Sequence, residues 1–301
     1  MQLDWKFSAA GIVAAVPLLF ACLLTRPAAG AEHAHLYAGV LCQTPFNPTP
    51  GEPLWFANGS DWETNSYGGF TQSPACIYFD DNLPAVYPGQ FQTATTFAAL
   101  AATIFKGGPS PYAASLGSYI ELRIVSLHGP AGGVLTLWNE RPDPNSPTVI
   151  LAIPVGTANG TNQLNLSEGD PSDPESDPYG HIHGRRFTLN KPGLYTLGLQ
   201  LLDTSGNGPG GGPIHTASST NYFYLQAGLW LSDFSRSNNV VTARFGLPGY
   251  TNFVFEASPT VPGTNWVTIQ TVAGTDHSEL RWVTDLNAVG PTRFYRIRTS
   301  N

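Results

Sequence analysis

The stretch GLYTLGLQLLD, residues 193–203, alternates a fully apolar set of side chains with a mixed set. Successive side chains of an extended strand point to opposite sides of a sheet, so every second residue shares a side. The apolar set consists of Tyr195, Leu197, Leu199 and Leu201. The pattern therefore predicts one long strand that buries this side.

Similar short strand patterns recur along the chain, separated by turns rich in its 32 Gly and 26 Pro residues. Long helical periodicities are scarce, and only residues 93–105 leave helix and strand both open. Many short strands joined by turn-rich loops are typical of β-sandwiches, so we predict an all-β fold. Further strands are predicted at 118–127, 133–140, 148–155, 185–189 and 220–228.

A Pro-Gly turn, Pro192 and Gly193, precedes the long strand, and Tyr195 follows it. In immunoglobulin-like sandwiches, a Tyr at such a corner donates a hydrogen bond from its hydroxyl group to backbone before the turn. The alternative is a strand that merely begins with an aromatic residue. The predicted fold is an immunoglobulin-like β-sandwich followed by a smaller β-sandwich module.

Residues 1–31 have the order of a secretory signal peptide, with Lys6 near the start, an apolar run over 9–24 and small residues at the end. Cleavage after Ala31 would release an exported mature chain, extracellular, periplasmic or on the cell surface. Two alternatives are lipid attachment at Cys22, in a poor lipobox, and an uncleaved membrane anchor. No later segment has the roughly 20 apolar residues of a membrane-spanning helix.

The composition changes near Gly228, so residues 32–228 form one predicted sandwich domain and residues 229–301 a smaller, independent one. Trp266 and Trp282 are the predicted core aromatics of the smaller domain. Its predicted strands lie at 240–247, 252–258, 266–272, 280–285 and 293–298.

The chain has a formal net charge of −7, and its only lysines after residue 31 are Lys106 and Lys191. A protein that binds nucleic acid needs a basic face to neutralise phosphates, so that class of partner is excluded.

Two cysteines follow the signal peptide, Cys42 and Cys76. In an oxidising compartment an isolated pair predicts one disulfide; the alternative is two buried thiols.

Four of the seven histidines stand in two His-x-His pairs, His33 with His35 and His181 with His183. On an extended chain the two members of a pair face the same way, roughly 6.6 Å apart. Imidazole nitrogens bind transition metals at about 2.0–2.1 Å, so such a pair can hold one ion. The alternative is a pair of solvated histidines on an edge strand.

His215 follows the strand after the second pair, where an adjacent strand would bring it near. We therefore predict a metal site formed by His181, His183 and His215, with His33 or His35 as additional ligands. Nitrogen ligands suit zinc or copper. Calcium is less favoured, because the acidic residues at 170–177 lack the spacing of a calcium loop and are better explained as a solvated loop.

Two other classes of function stay open. A zinc hydrolase would need an open metal position, but the sequence shows neither a nucleophile elbow nor a His-Glu-x-x-His helix, and no general base is marked. A binding protein is therefore favoured over an enzyme. An adhesion or glycan-binding module without metal is the main alternative, because five aromatic residues fall in a loop-rich stretch: Trp55, Trp62, Tyr67, Tyr78 and Tyr87.

Residues 119–228 contain LHGPAGGVLTLWNE, PTVILAIPVGT, GHIHGRRFTLNKPGLYTLGLQLLDTS and NYFYLQAG. This series resembles the surface-anchored domain of actinobacterial wall proteins of the choice-of-anchor M type. The matching positions are His181, His183, Pro192, Gly193 and Tyr195. Members of that family are exported surface proteins often encoded near metal-uptake systems, so the resemblance implies metal handling. The segment 229–301 also resembles small C-terminal β modules of exported bacterial proteins.

Overall fold

The computed structural model describes residues 35–59, 76–80, 87, 89–140, 143–182, 185–261, 265–275, 278–290 and 292–300. All described residues belong to one compact unit, His33–Asn301. The predicted signal peptide, with Cys22, lies outside them. Strands dominate the regular structure, so the predicted all-β class is confirmed. Within these ranges we find no helix with the length and apolar character needed to cross a membrane.

The N-terminal region, residues 35–228, contains thirteen strands in its described part. They build three sheets, ordered β10-β5-β1-β2, β4-β11-β7-β8 and β3-β13-β12-β6-β9. The strands are β1 (His35–Val40), β2 (Leu54–Phe56), β3 (Ile77–Phe79), β4 (Phe91–Gln92), β5 (Thr96–Ala99), β6 (Ile120–His128), β7 (Val134–Asn139), β8 (Thr148–Pro154), β9 (Asn162–Asn165), β10 (Gly180–His181), β11 (Arg185–Leu189), β12 (Gly193–Asp203) and β13 (Asn221–Ala227).

The long strand β12 lies inside the five-stranded sheet, antiparallel to both β6 and β13. Its predicted apolar side is buried: Tyr195, Leu197, Leu199 and Leu201 are each at most 3% exposed. Full burial of each such side chain is worth roughly 1.5–3 kcal/mol. These side chains join one core that all three sheets share, which confirms the strand and its buried face.

The predicted corner at the start of β12 is also confirmed. The Tyr195 hydroxyl donates a hydrogen bond of 2.8 Å to the Lys191 carbonyl oxygen, across the turn. A side chain at Gly133 would place its Cβ 2.7 Å from that hydroxyl oxygen, so only glycine leaves room for the ring. Burial raises the pKa of Tyr195 to about 12, so the hydroxyl keeps its proton at neutral pH.

Residues 93–105, which the sequence left open between helix and strand, contain both. β5 occupies Thr96–Ala99, and a single 3-10 turn follows at Ile104–Lys106. All four residues of β5 are buried, because β1 and β10 flank the strand on either side. The strand assignment therefore depends on neighbours that are distant in sequence.

The C-terminal region, residues 229–300, has six strands among its described residues, in two three-stranded sheets ordered β14-β15-β18 and β17-β16-β19. It has its own core, centred on Phe245, Phe253 and Phe255. The strands are β14 (Ser232–Ser237), β15 (Val240–Leu247), β16 (Phe253–Ser258), β17 (Val267–Val272), β18 (Glu279–Asp285) and β19 (Phe294–Thr299).

The predicted role of the two tryptophans in this core is wrong. Trp282 is 54% exposed, whereas Leu280 and Val283 of the same strand are buried. Trp266 is only partly buried and is covered by the Arg296 guanidinium group, 4.2 Å from its ring centre. Phenylalanines fill the interior instead.

The two regions have separate cores but share a buried polar contact. Gln226 on β13 is completely buried; its side-chain oxygen accepts a hydrogen bond of 2.9 Å from the Gly246 amide on β15. Its side-chain nitrogen donates to the Gly228 carbonyl oxygen at 2.8 Å. A buried amide with both ends satisfied fixes the relative position of two strands, which agrees with the regions forming one compact unit.

The predicted disulfide is wrong for this structure, because Cys42 and Cys76 are both free and buried. Cys42 follows β1, and its thiol donates to the Pro111 carbonyl oxygen at 3.6 Å. Cys76 leads into β3, and its backbone amide donates to the Ser278 carbonyl oxygen of the C-terminal region at 3.1 Å. The two thiols thus have different neighbours. Burial, and then the nearby Glu279, raise the pKa of Cys76.

Candidate metal-binding site

Two histidines from different His-x-His pairs lie together on the sheet β10-β5-β1-β2. His35 begins β1 and His181 ends β10. Strand β5 lies between them and pairs parallel with β1 and antiparallel with β10, with His35 opposite Thr96 and His181 opposite Ala98. Paired residues share a face, as do residues two apart in a strand. Both imidazoles therefore lie on the same face.

The ring centres of His35 and His181 are 5.6 Å apart, with the rings perpendicular. Two strands that flank a third are about 9.5 Å apart, so these rings lean towards each other. On this face of the middle strand, Ala98 opposite His181 presents only a methyl group, and Thr96 lies opposite His35. A shared metal ion at about 2.0–2.1 Å from a nitrogen lies roughly 3.2 Å from each ring centre. Two imidazoles on one ion therefore have ring centres at most about 6.4 Å apart, and the observed 5.6 Å lies within that limit.

The backbone around His35 is held on both sides. On one side it pairs with β5. On the other side Asn58 accepts a hydrogen bond of 2.8 Å from the Tyr37 amide and donates one of 2.8 Å to the His35 carbonyl oxygen. The Tyr37 ring stacks on the His35 ring at 5.7 Å. The imidazole therefore projects from a backbone that is fixed before any ligand binds.

The segment before His181 is held just as firmly. The Asp177 carboxylate accepts hydrogen bonds from the amides of Ala102 and Thr103, at 3.1 and 2.7 Å, in the segment after β5. A Cβ at Gly180 would overlap the Leu166 carbonyl oxygen, so only glycine lets the chain pass there. The segment Asp-Pro-Tyr-Gly, which precedes the second histidine pair, thus fixes the path of the backbone into His181.

Tyr179 supports the His181 ring. Its hydroxyl group lies 3.1 Å from His181 Nδ1. In the tautomer whose Nδ1–H donates this bond, Nε2 carries the lone pair that a metal ion needs. Histidine ligands usually donate their other ring nitrogen to such a partner. Burial, and then the nearby Glu168 carboxylate, raise the pKa of Tyr179, and the Lys106 ammonium group lies over its ring at 5.6 Å.

The other members of the two pairs, His33 and His183, lie outside the described residues. Within those residues no group of three or more His, Cys, Asp or Glu side chains is arranged to hold a metal ion. The structure thus brings together one histidine from each pair, and the contribution of His33 and His183 stays a prediction from their spacing.

His215 does not join this site, so its prediction as a metal ligand is wrong. It is 1% exposed, and its Nε2 accepts a hydrogen bond of 3.0 Å from the Ser115 amide. Its Nδ1 therefore carries the proton and donates to the Glu52 carbonyl oxygen at 3.2 Å. Burial lowers the pKa of His215. Both ring nitrogens are engaged in joining three segments of the interior.

The acidic segment forms the exposed loop that the sequence predicted. Asp170 and Asp173 close tight turns by accepting hydrogen bonds from the Ser172 and Glu175 amides, at 2.8 and 2.9 Å. Asp177 is taken up by the backbone amides described above. These carboxylates are directed at their own backbone.

The predicted aromatic platform is not assembled as an exposed surface. Tyr87 is 4% exposed and packs against Trp138 at 5.2 Å. Trp55 packs edge to face on Tyr112 at 5.6 Å. Tyr78 is partly buried, and Trp62 and Tyr67 lie outside the described residues.

Comparisons with protein-family models, curated proteins and solved structures found no match to this chain. The site is therefore assigned from its own geometry. Sequence reasoning missed Tyr37 and Tyr179 as members of it. The signal was present, because each lies two residues from a histidine of the site, and alternate residues of an extended chain share a face.

Proposed function

We propose that this protein is an exported, non-catalytic β-sandwich protein that binds a transition metal ion through His35 and His181, with His33 and His183 completing the ligand set. One observation carries the proposal: histidines 146 positions apart in the sequence meet on one face at a ring separation of 5.6 Å. Local sequence cannot produce such a meeting, since it depends on both strands pairing with β5.

The ligand chemistry favours zinc or copper(II). Imidazole nitrogens suit these ions, whereas calcium and magnesium prefer oxygen ligands. The hydroxyl group of Tyr179 beside His181 Nδ1 is the kind of outer partner that orients a ligating imidazole.

Export and a surface location are part of the proposal. They are supported by the signal-peptide order of residues 1–31 and by the resemblance of residues 119–228 to the surface-anchored domain of choice-of-anchor M proteins. That resemblance, which includes His181 and His183 among its matching positions, implies metal handling. An immunoglobulin-like topology is proposed on the same basis, with the Tyr195 corner in its support.

Metal content of the purified mature chain, residues 32–301, tests the proposal. After loading with zinc or copper(II) and removal of unbound ion, elemental analysis should find about one ion per chain. The double variant His35→Ala/His181→Ala should lose it. His128→Ala is the matched control, because His128 is an exposed strand histidine outside the site. Equal metal content in the wild type and the double variant would refute the proposal.

The contribution of the undescribed histidines is measured separately. His33→Ala and His183→Ala should each weaken metal affinity by at least tenfold if each supplies a ligand. Unchanged affinity in both would limit the site to His35 and His181.

A further inference from the structure

The two sheets of the C-terminal region meet differently on their two sides. On one side the Thr284 amide of β18 donates a hydrogen bond of 3.3 Å to the side-chain oxygen of Gln270 on β17. On the other side the edge strands β14 and β19 border an open cleft of about 390 Å³. This volume lies in the lower part of the range of small-molecule pockets, which usually measure about 300–1,000 Å³.

Three aromatic rings line this cleft. Phe234 on β14 is 53% exposed and Phe294 on β19 is 38% exposed. Tyr295 lies between them and the core: its ring is 6.3 Å from Phe234 and stacks on buried Phe255 at 5.3 Å. The exposed Phe234 ring thus lies beside a ring that is fixed by the interior, and Phe294 also borders the cleft.

Two arginines complete the lining. Arg236 is anchored by the carbonyl oxygens of Ala288 and Gly290, at 3.1 and 3.4 Å. Arg293 is anchored by Asp285, at 2.6 Å. The described residues that line the cleft include no carboxylate, because Asp285 is itself only 2% exposed behind Arg293. Arg236 therefore brings positive charge to the aromatic rings, whereas the charge of Arg293 is balanced by Asp285.

We propose that this cleft binds an acidic saccharide, a chain of pyranose rings that carry carboxylate groups. The C–H face of a pyranose ring packs on an aromatic ring, and a guanidinium group pairs with a carboxylate in a charge-assisted hydrogen bond. A neutral apolar peptide would pack on the rings but would not pair with the exposed guanidinium group of Arg236. The site is independent of the metal site proposed above.

The distribution of charge supports the same ligand. Residues 229–301 carry six Arg and five Asp or Glu, whereas residues 32–228 carry six Lys or Arg and fifteen Asp or Glu. An acidic polymer is repelled by the second set and tolerated by the first. The C-terminal region is therefore where such a ligand fits.

Calorimetric titration of the EDTA-treated mature chain tests the proposal, with tri-galacturonate as the acidic probe and maltotriose as the neutral one. Chelation keeps the result separate from metal binding. Tri-galacturonate should bind at least tenfold more tightly than maltotriose, and its affinity should fall as salt is raised. The variant Phe234→Ala/Phe294→Ala should weaken that binding at least tenfold.

Trp282→Ala is the matched control, because Trp282 is 54% exposed and lies outside the cleft; its affinity for tri-galacturonate should equal that of the wild type. Circular dichroism of each variant checks that the fold is kept. Equal binding of the two probes, no binding at millimolar tri-galacturonate, or equal loss in the control overturns the proposal. So does a wild-type dimer that the double variant converts to monomer without any saccharide binding, since the cleft would then join two copies.

Discussion

The N-terminal and C-terminal regions bury their charged groups in different ways. In the N-terminal region the buried Asp203 carboxylate accepts backbone hydrogen bonds, from the amides of Tyr119, Ser205, Ile214 and His215. In the C-terminal region the buried carboxylates pair with arginines: Asp285 with Arg293, Glu279 with Arg281, and Glu256 with Arg296 and Arg298.

Size gives a physical reason for the difference. A chain of about 70 residues buries a smaller fraction of its surface than one of about 200, so fewer loops can fold over a charged group and solvate it. Arginines reach such a carboxylate from the neighbouring strand while staying partly in water: Arg296 and Arg298 are 43% and 46% exposed, and Glu256 is 5% exposed. In the small region, arginine side chains thus solvate the buried carboxylates, as loop amides do in the large one.

The largest expected loss of stability comes from core substitutions, which also test whether the two cores unfold together. Phe223→Ala in the N-terminal core and Phe255→Ala in the C-terminal core each remove a ring that is completely buried. Each should lower the free energy of unfolding by about 3–5 kcal/mol. Urea unfolding followed by circular dichroism measures this, and both variants should shift one common transition.

Phe105→Ala is the control for both, because Phe105 is 90% exposed and its loss should cost less than about 0.5 kcal/mol. If Phe255→Ala produces a separate early transition while the rest stays folded, the two regions are independent despite their shared contact.

A smaller effect is expected at the contact between the regions. A Cβ at Gly246 would meet the Gln226 side chain and lie 3.1 Å from the Cys76 sulfur. Gly246→Ala should therefore destabilise by about 1–3 kcal/mol through overpacking, and it should broaden the unfolding transition by uncoupling the regions. Gly212→Ala, with nothing within 4 Å of its Cβ, should leave the transition unchanged. A sharp, unshifted transition in Gly246→Ala would show that the contact does not couple them.

The smallest expected effect is on how stability depends on pH, which should differ between the two regions. Burial lowers the pKa of His215, so the unfolded chain takes up a proton below about pH 6.5 while the folded one does not. Stability should therefore fall as pH drops from 7.5 to 5.5, by at most about 1.4 kcal/mol per pH unit for this one group. His215→Gln should flatten that slope, and Phe105→Ala, which removes an exposed side chain without a titratable group, should leave it unchanged. An unaltered slope in His215→Gln contradicts the assignment.

The contribution of Glu256 to the stability of the C-terminal region should change only in more acidic solution. The hydrogen bond from Arg298 lowers the pKa of Glu256. The ionised Glu256 carboxylate therefore stabilises the folded chain above pH 4.3, roughly the ordinary pKa of a Glu side chain. This stabilisation is lost as the pH falls below that value. Glu256→Gln should therefore change the pH dependence below about 4.5 and leave the range from 5.5 to 7.5 as it is. The free energy of unfolding of Glu256→Gln should be measured over the same pH range as that of His215→Gln and the two compared.

Several elements could be predicted from the sequence because their signals are local. The alternation over 193–203 identified β12 and its buried side, and the Pro-Gly turn identified the Tyr195 corner. The strand β14 was missed, because all but one of its residues are exposed and no apolar alternation marks them. Trp282 was misplaced, because the residue type alone does not tell whether other segments cover that part of the strand: Leu280, two residues away, is 2% exposed and Trp282 is 54% exposed.

The sequence by itself determined the all-β class, the longer strands of the N-terminal region such as β6 and β12, and five of the six described strands of the C-terminal region, because period-two alternation and turn chemistry act within a few residues. Only the tertiary structure decided that His35 and His181 meet, that His215 is instead tied to Ser115, and that Cys42 and Cys76 stay apart. Which strands become neighbours depends on the burial gained by the whole chain, and that sum cannot be read from any one segment.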